Sequence, residues 1–262
     1  DLRILIKCFL TAWESRISIK YKLKLILSYP SWFCNIRNFV IKNSDNTIVC
    51  FGAYHTAGRF LNYKRKLFNR LYFFEYGMIP GHFVCDLNGL NGESFVVSRN
   101  DDFNSLSIND NEIKTTISFL NQISYNRKSN KTYDTSNKSI PSSCKIFVAG
   151  IDLHHSGVLP ANSNSSKLLS PLYKSNYELL LDISKSQKGD VRPIIYKGHH
   201  NMNNKEHIEC KNFNNVFFAE SHHNIYNLLE SVDVVVTILS SVAQLALILG
   251  KGVIIVGKNP MW

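Results

Sequence analysis

The residues best suited to chemistry lie where apolar segments end in polar, charged or glycine residues. The clearest case is DVVVTILSSVAQLALILGKGVIIVG (233–257), in which an apolar segment is followed by Ser240 and Ser241 and then by a helical pattern. Hydroxyls and free backbone N–H groups at the start of a helix can bind an anion, and the helix dipole favours negative charge there. A serine that only caps the helix gives the same pattern. The segment therefore predicts either a phosphate site or a simple helix cap.

A second candidate site is the segment IIYKGHHNM (194–202), where an apolar run ends in Lys197 and His199. A lysine and a histidine side by side at a strand end can hold a phosphate by charge and by hydrogen bonds. A surface loop that carries basic residues would look the same. Three His-His pairs occur in the chain, but no spacing such as H-x3-H links them, so we predict no metal site. The pairs are 154–155, 199–200 and 222–223.

The carboxylates form the third group of candidates. Glu75 ends the apolar run LYFF, Asp86 and Glu93 follow within a loop, and Asp152 lies in the second half of the chain. Burial raises the pKa of a carboxyl at the end of an apolar strand, which suits it to acid–base catalysis. The alternative is a strand-end carboxylate that only accepts hydrogen bonds from nearby backbone.

After residue 144 the apolar segments predict strands that alternate with helices, the pattern of a parallel sheet covered on both faces. The predicted strands are 145–150, 192–198, 233–238 and 252–257, with a short apolar run at 215–220 and helices at 174–187, 224–231 and 241–250. In such a sheet the carboxyl ends of the strands meet at one edge, where ligands bind. The second half is therefore predicted to be Rossmann-like, with both basic and serine segments at its ligand edge.

The first half shows a more mixed pattern. It contains helical spacing over 1–30 that ends at Tyr29-Pro30, short β-like runs at 37–42 and 47–54, an aromatic strand at 68–76, a loop at 78–94 and a helix at 110–127. The polar segment 128–143 has almost no large apolar side chains and is the best candidate for a linker.

The composition is that of a folded globular protein. A chain of 262 residues with 44% hydrophobic and 19% charged residues is neither disordered nor a coiled coil. Its scattered cysteines contain no C-x-x-C pair, which favours a reduced, cytoplasmic protein. The longest apolar stretch, 232–256, is interrupted by serines and glycines, which disfavours a membrane span.

The formal charge of +10 is compatible with a solvated surface, an anionic membrane partner or a nucleic-acid partner. Basic residues concentrate in RISIKYKLK (16–24) and KRKLFNR (64–70). No nucleic-acid motif accompanies them, so we predict no nucleic-acid partner. The mixture of basic and apolar residues in the first segment makes peripheral attraction to a membrane the stronger alternative to a plain solvated surface.

Taken together, the motifs resemble the capsule polysaccharide biosynthesis family, whose members include the β-Kdo transferases of bacterial capsule and lipopolysaccharide assembly. The segments that carry the resemblance lie in the same order and with similar spacing between Phe73 and Val256. They are FFEYGMIPGHFVCDLNGLNGES, KIFVAGIDLHHSGVLP, KLLSPLYKSNYELL, IIYKGHHNM and VDVVVTILSSVAQLALILGKGVIIVG.

The resemblance implies an α/β protein with two Rossmann-like domains of GT-B type, an acceptor-side domain over 1–140 and a nucleotide-sugar domain over 144–262. It implies transfer of a sugar, commonly Kdo from CMP-Kdo, to a glycan or glycolipid, with no metal and no other cofactor. The resemblance also implies a cytoplasmic protein that acts at the inner face of the cell membrane. A GT-B chain normally continues past a strand such as 252–257, so we expect the C-terminal domain to be incomplete here.

Site roles also follow from the resemblance. The acidic-x-Gly element falls on Glu75 and Gly77, and its acidic residue would handle the acceptor proton. The basic-His element falls on Lys197 and His199, and the serine turn falls on Ser240 and Ser241. All four residues would contact the nucleotide phosphate. Glu75 or Asp86 would act as general base or as nucleophile, which leaves retention and inversion both open. Glu93 and Asp152 are further candidates for the cleft.

Three departures from the family pattern bear on donor identity and activity. The expected Lys-Pro-His-Pro is Lys197-Gly198-His199-His200, which lacks both prolines. The acidic residue expected in the helix after the serines is Gln244, and the second acidic residue of the Glu-x-Gly element is Tyr76. These departures keep a second hypothesis open, in which the protein is a non-catalytic binding or scaffold protein of a polysaccharide assembly complex.

Overall fold

The computed structural model describes residues 2–14, 19–53, 56–76, 83–90, 93–99, 101–102, 105–129, 141, 143–159, 164–187, 192–199, 208–220 and 223–258. The strands are β1 (Thr47–Phe51), β2 (Arg70–Tyr76), β3 (Phe83–Asp86), β4 (Ile146–Ala149), β5 (Ile194–Lys197), β6 (Val216–Phe218), β7 (Val234–Thr237) and β8 (Gly252–Ile255). The α-helices are α1 (Leu2–Glu14), α2 (Ile19–Lys42), α3 (Thr56–Tyr63), α4 (Phe95–Ser98), α5 (Asp110–Ser129), α6 (Asn164–Leu169), α7 (Asn176–Ser186), α8 (Ile225–Ser231) and α9 (Val242–Ile248).

Strands β4 to β8 form a parallel sheet in the order β6-β5-β4-β7-β8. Numbered along this sheet alone, the order is 3-2-1-4-5, which is the arrangement of a Rossmann-like doubly wound fold. The central strands are apolar on both faces, as a sheet covered by helices on both sides requires. Phe147, Ile195 and Val235 are fully buried in the core, together with Leu228 and Ala246 from the covering helices. The predictions of an α/β fold and a parallel sheet are confirmed.

Strands β1, β2 and β3 form a separate mixed sheet. β1 runs parallel to β2, and β2 runs antiparallel to β3. Side chains alternate along these strands, so one face buries Ile48, Leu71 and Phe73 while the opposite face exposes Phe51 and Tyr76. The carboxylates of interest lie on the first of these faces.

Helix α2 corrects two predictions from the sequence. We expected a helical pattern to end at Tyr29-Pro30 and a β-like run at 37–42, but α2 continues through Pro30 to Lys42. A proline inside a helix costs about 3 kcal/mol because it removes a backbone hydrogen bond and crowds the preceding turn. Aromatic packing on either side offsets that cost. Tyr29 stacks on Trp32 with ring centroids 5.1 Å apart, and Trp32 meets Phe60 of α3 edge-on at 6.3 Å.

The chain forms two compact units. The first comprises Asp1–Ser98 with Leu153–Leu169, and the second comprises Arg99–Asp152 with Ser170–Trp262. The segment after β4 joins the first unit partly through Arg59, which is buried and donates from Nη2 to Leu159 O at 2.6 Å. The proposed linker 128–143 falls mostly outside the described residues, so the predicted division there stays a prediction. Among the described helices, none combines the length and apolarity that a membrane crossing requires.

Candidate functional site

The carboxyl edge of the parallel sheet brings together most of the predicted donor-side residues. Register places Lys197 of β5 opposite Ala149 of β4, and Ala149 opposite Thr237 of β7. Strands lie about 4.8 Å apart, so Lys197 and Thr237 are roughly 10 Å apart across this row. The residues that follow each strand therefore share one edge, with His199 after β5, Asp152 after β4 and Ser240 after β7.

The centre of this edge is the point where the strand order reverses. β4 lies between β5 and β7, and the chain leaves β4 and β7 toward opposite sides of the sheet, which opens a crevice beyond their ends in folds of this order. Thr237 fixes the local geometry there. Its hydroxyl, fully buried, donates to Ala149 O at 2.7 Å and accepts from the Ser240 N–H at 3.1 Å. One side chain thus ties both loops of the switch point together.

The two serines after β7 have different environments. Ser240 precedes the N-cap residue of α9, and its Oγ accepts from the Val242 N–H at 3.2 Å. Ser241 is exposed, and its side chain makes no capping bond. Gln244 lies half-buried in the first turn of the same helix. The predicted N-cap position therefore falls on Ser241, whose side chain makes no capping bond, while Ser240 bonds an N–H of α9 from the position before the cap.

Lys197 belongs to a polar network that extends past β6. Its Nζ donates to Glu220 O at 2.5 Å, and the Glu220 carboxylate accepts from Lys211 Nζ at 3.0 Å. The Glu220 N–H donates to Nδ1 of His223 at 3.0 Å, and His223 is buried. Because Nδ1 accepts this bond, the neutral ring carries its proton on Nε2. His199 is half-buried beside Lys197, whereas His200 lies outside the described residues.

Glycine at position 150 allows the loops after β4 and β5 to approach closely. A Cβ atom there would lie 2.8 Å from Tyr196 Oη and 3.2 Å from both Gly198 Cα and Lys197 O. The Gly150 N–H donates to Lys197 O at 2.9 Å, which continues the ladder past the strand ends. No feature of the sequence singles out this glycine.

A buried amide holds the next residue of the same loop. Asn176, at the start of α7, accepts from the Ile151 N–H at 2.9 Å and donates to Ile151 O at 3.0 Å. Asp152, half-buried, follows directly. Asn176 lies within the motif KLLSPLYKSNYELL, but the sequence did not reveal which of its residues touches the sheet edge. Asn176, like Gly150 and Thr237, is a position that the sequence does not reveal, and His223 is visible there only as half of a His-His pair.

In the first unit, Glu75 lies near the end of β2 on the same sheet face as Phe73 and the buried Asp86. Register pairs Glu75 with Val84 and Phe73 with Asp86 across β3, so the two carboxylates are diagonal neighbours. Burial raises the pKa of Glu75, and the positive charge of His155 opposes this rise. A carboxyl with a raised pKa near the end of a strand matches the acid–base role considered from the sequence.

Asp86 has a different set of contacts. Its Oδ1 accepts from the N–H groups of Asn88 at 2.6 Å and Gly89 at 3.3 Å, and its Oδ2 accepts from the Phe95 N–H at 2.7 Å. The carboxylate thereby organises the loop that leads into α4. Glu93 is half-buried in that loop, packed against Gly89. Gly77, the remaining predicted residue of the first unit, lies outside the described residues.

Among the described residues, no three His, Cys, Asp or Glu side chains are grouped so that they could hold a metal ion.

The fold of this chain is similar to that of solved structures whose sequences are only distantly similar to it. Neither a protein-family profile nor a curated protein matches the sequence. Solved structures do match. The β-Kdo 2,7 transferase of Thermosulfurimonas dismutans KpsC superposes with a TM-score of 0.54 at 18% identity, covering 94% of this chain and 78% of that chain. The β-Kdo 2,4 transferase of the same KpsC gives a TM-score of 0.56 at 14% identity, covering 81% and 69%. The chain therefore has the fold of these transferases.

Proposed function

We propose that this protein is a glycosyltransferase of bacterial capsule or other surface polysaccharide biosynthesis. In this proposal it transfers a sugar from a nucleotide-sugar donor to a glycan or glycolipid acceptor. The observation that carries it is the row formed by Lys197, Ala149 and Thr237 at the carboxyl edge of a parallel sheet. In that row the Lys197 cation and the serine turn that follows Thr237 lie at the switch point of the sheet. Two Kdo transferases share this fold.

The donor side of the proposed reaction uses charge and hydrogen bonds. As the bond from sugar to phosphate breaks, negative charge builds up on the departing phosphate, and positive groups held in place beforehand stabilise it. Lys197 and His199 supply those groups, and the Ser241 hydroxyl with the backbone of its turn supplies hydrogen bonds. Gln244 would contact the ribose. Lys197 is already oriented by Glu220 O, so little ordering is needed when the phosphate binds.

The acceptor side of the proposal assigns Glu75 as the general base. Burial raises its pKa, which brings its proton affinity closer to that needed for work near neutral pH. Asp86 is the other candidate, but its oxygens already accept three backbone N–H bonds, so we assign it the positioning of the 86–95 loop. We further propose that the protein has a GT-B arrangement and uses CMP-Kdo as its donor. We also propose that transfer needs no metal or cofactor and takes place in the cytoplasm.

A second candidate function is a non-catalytic protein of a polysaccharide assembly complex. The observation that favours it is Gln244, an amide where the family resemblance leads us to expect a carboxylate. Thermal-shift titration with CMP, UDP and GDP separates the two candidates, because a ligand that binds only the folded state raises the melting temperature. Stabilisation that Lys197→Met and His199→Ala both weaken supports a donor site. No stabilisation by any nucleotide contradicts the transferase proposal.

A further inference from the structure

The long helix α2 has one face fixed against the protein. The rings of Tyr29, Trp32 and Phe33 point inward, where Tyr29 also meets Phe9 of α1 with centroids 4.9 Å apart, and Phe33 meets Phe60 edge-on at 6.2 Å. These contacts set the rotation of the helix about its axis.

The N-terminal part of α2 carries an exposed apolar face. Ile19, Leu23, Ile26 and Leu27 follow the i, i+4, i+7, i+8 spacing of a single helical face. Their exposed fractions are 77%, 56%, 45% and 82%. A stripe of four large aliphatic residues in water is unusual on a solvated helix and marks an interaction surface. We call these four residues the α2 stripe.

The charged residues of α2 are all positive. Between residues 15 and 44 the chain contains no Asp or Glu and six basic residues, namely Arg16, Lys20, Lys22, Lys24, Arg37 and Lys42. At 100° per residue, Lys20 and Lys24, which are both exposed, flank the stripe on one side. Lysines in such positions extend their aliphatic stems along the apolar surface while their ammonium groups reach outward to anionic groups.

We infer that the α2 stripe and its flanking lysines form a docking surface for an anionic lipid bilayer, with α2 lying in the plane of the interface. Apolar side chains on one face with lysines on its flanks are the composition of interfacial helices. The charge complementarity distinguishes lipid from a second copy of this chain, because two such faces would bring like charges together. The inference uses unit-one residues that the proposed donor site does not, and it holds or fails independently of the proposed function.

The test is co-sedimentation of the protein with vesicles of phosphatidylcholine alone and of phosphatidylcholine with one quarter phosphatidylglycerol. Each lysine near an anionic surface strengthens binding by about fivefold, so we expect at least roughly tenfold tighter binding to the anionic vesicles. High salt should remove most of this preference because it screens the charges. Equal binding to both vesicles, or no binding to either, overturns the inference.

Variants locate the surface. Leu27→Glu should lower binding to anionic vesicles by more than about tenfold, since it places a charge in the apolar stripe. Leu172→Glu is the matched control, because Leu172 is another exposed leucine, with an exposed fraction of 69%, and the charge change is the same. Lys20→Gln with Lys24→Gln tests the flank without disturbing packing, compared with Lys185→Gln and Lys258→Gln at exposed sites of the second unit.

Two results would contradict the assignment of this surface. One is equal loss of vesicle binding in Leu27→Glu and Leu172→Glu, which would show a general charge effect. The other is a concentration-dependent dimer, measured by analytical ultracentrifugation, that Leu27→Glu dissociates while vesicle binding is absent. That outcome would make the α2 stripe a protein interface.

Discussion

The side chain of Asn176 holds both backbone groups of Ile151, accepting from its N–H at 2.9 Å and donating to its C=O at 3.0 Å. Both residues are buried, so neither backbone group can turn to water instead. This pair fixes the loop after β4 at the point where the strand order reverses.

Replacing Asn176 by Ala should destabilise the second unit. The change leaves the N–H and C=O of Ile151 buried without partners, and each such group costs about 1–3 kcal/mol. We expect the free energy of unfolding to fall by about 2–4 kcal/mol in urea titrations followed by circular dichroism. Asn214→Ala at an exposed position is the control and should change stability by less than about 0.5 kcal/mol. Equal stability of the two variants would show that the clamp on Ile151 contributes nothing.

Thr237→Val tests the link between the loops after β4 and β7. Valine keeps the shape of threonine but removes the hydroxyl that bonds Ala149 O and the Ser240 N–H. We expect a loss of about 1–3 kcal/mol and weaker nucleotide binding, because the serine turn is no longer tied to β4. Thr237→Ser keeps the hydroxyl and should retain nucleotide affinity even if the missing methyl lowers stability. Unchanged affinity in Thr237→Val would separate this hydroxyl from ligand binding.

Gly150→Ala should lower stability although it adds only one methyl group. The added Cβ would lie 3.2 Å from Gly198 Cα and Lys197 O, which are backbone atoms that cannot rotate away. Overpacking of this kind costs typically about 1–3 kcal/mol. Gly252→Ala is the comparison, because its nearest neighbour is a Val234 methyl at 3.3 Å. A smaller loss in Gly150→Ala than in Gly252→Ala, measured by thermal unfolding, would contradict the close approach of the two loops.

Glu75→Gln should separate stability from activity. Burial raises the pKa of Glu75 in the folded state, so folding favours the protonated form. The stability of the wild-type protein is therefore highest below the unfolded-state pKa and falls as pH rises through the folded-state pKa. The glutamine variant lacks this fall and should be at least as stable at neutral pH.

The same variant bears on the chemistry. As general base, Glu75 must be ionised, so the rate of transfer should rise with pH through its raised pKa. In Glu75→Gln the rate should drop about 10²–10⁴-fold and this rise should disappear. Asp86→Asn is the informative comparison, because it should reduce stability through the loop that Asp86 holds. A glutamine variant with normal rates would remove Glu75 from the mechanism.

Much of the parallel sheet could be predicted because short segments of sequence are enough to indicate its strands and helices. Short apolar runs such as 146–149 and 234–237 alternate with amphipathic helices, and the structure confirms strands there. Lys197, His199 and Ser240 could be placed at one edge for the same reason, since the carboxyl ends of parallel strands must meet. Helix α2 could not be predicted, because its continuation through Pro30 depends on ring contacts with Phe60, which is distant in sequence.

The residues that the sequence did not reveal act through long-range contacts. Asn176 contacts Ile151 across 25 positions, and Lys197 reaches Glu220 across 23. In the sequence, His223 is visible only as half of a His-His pair, whereas in the structure its Nδ1 accepts from the Glu220 N–H beside Lys197. Such roles depend on which loops the sheet brings together, and residue type alone does not specify them.

The most direct test of the proposed function is sugar transfer measured with a panel of CMP-, UDP- and GDP-sugars and an acceptor glycan. The assay compares the wild-type protein with Glu75→Gln and His199→Ala and detects both free nucleotide and elongated acceptor. The proposal predicts transfer from one donor class, with CMP-Kdo as the first candidate, and a loss of about 10²-fold or more in Glu75→Gln. Absence of transfer from every donor, or equal rates in the wild-type protein and both variants, would contradict it.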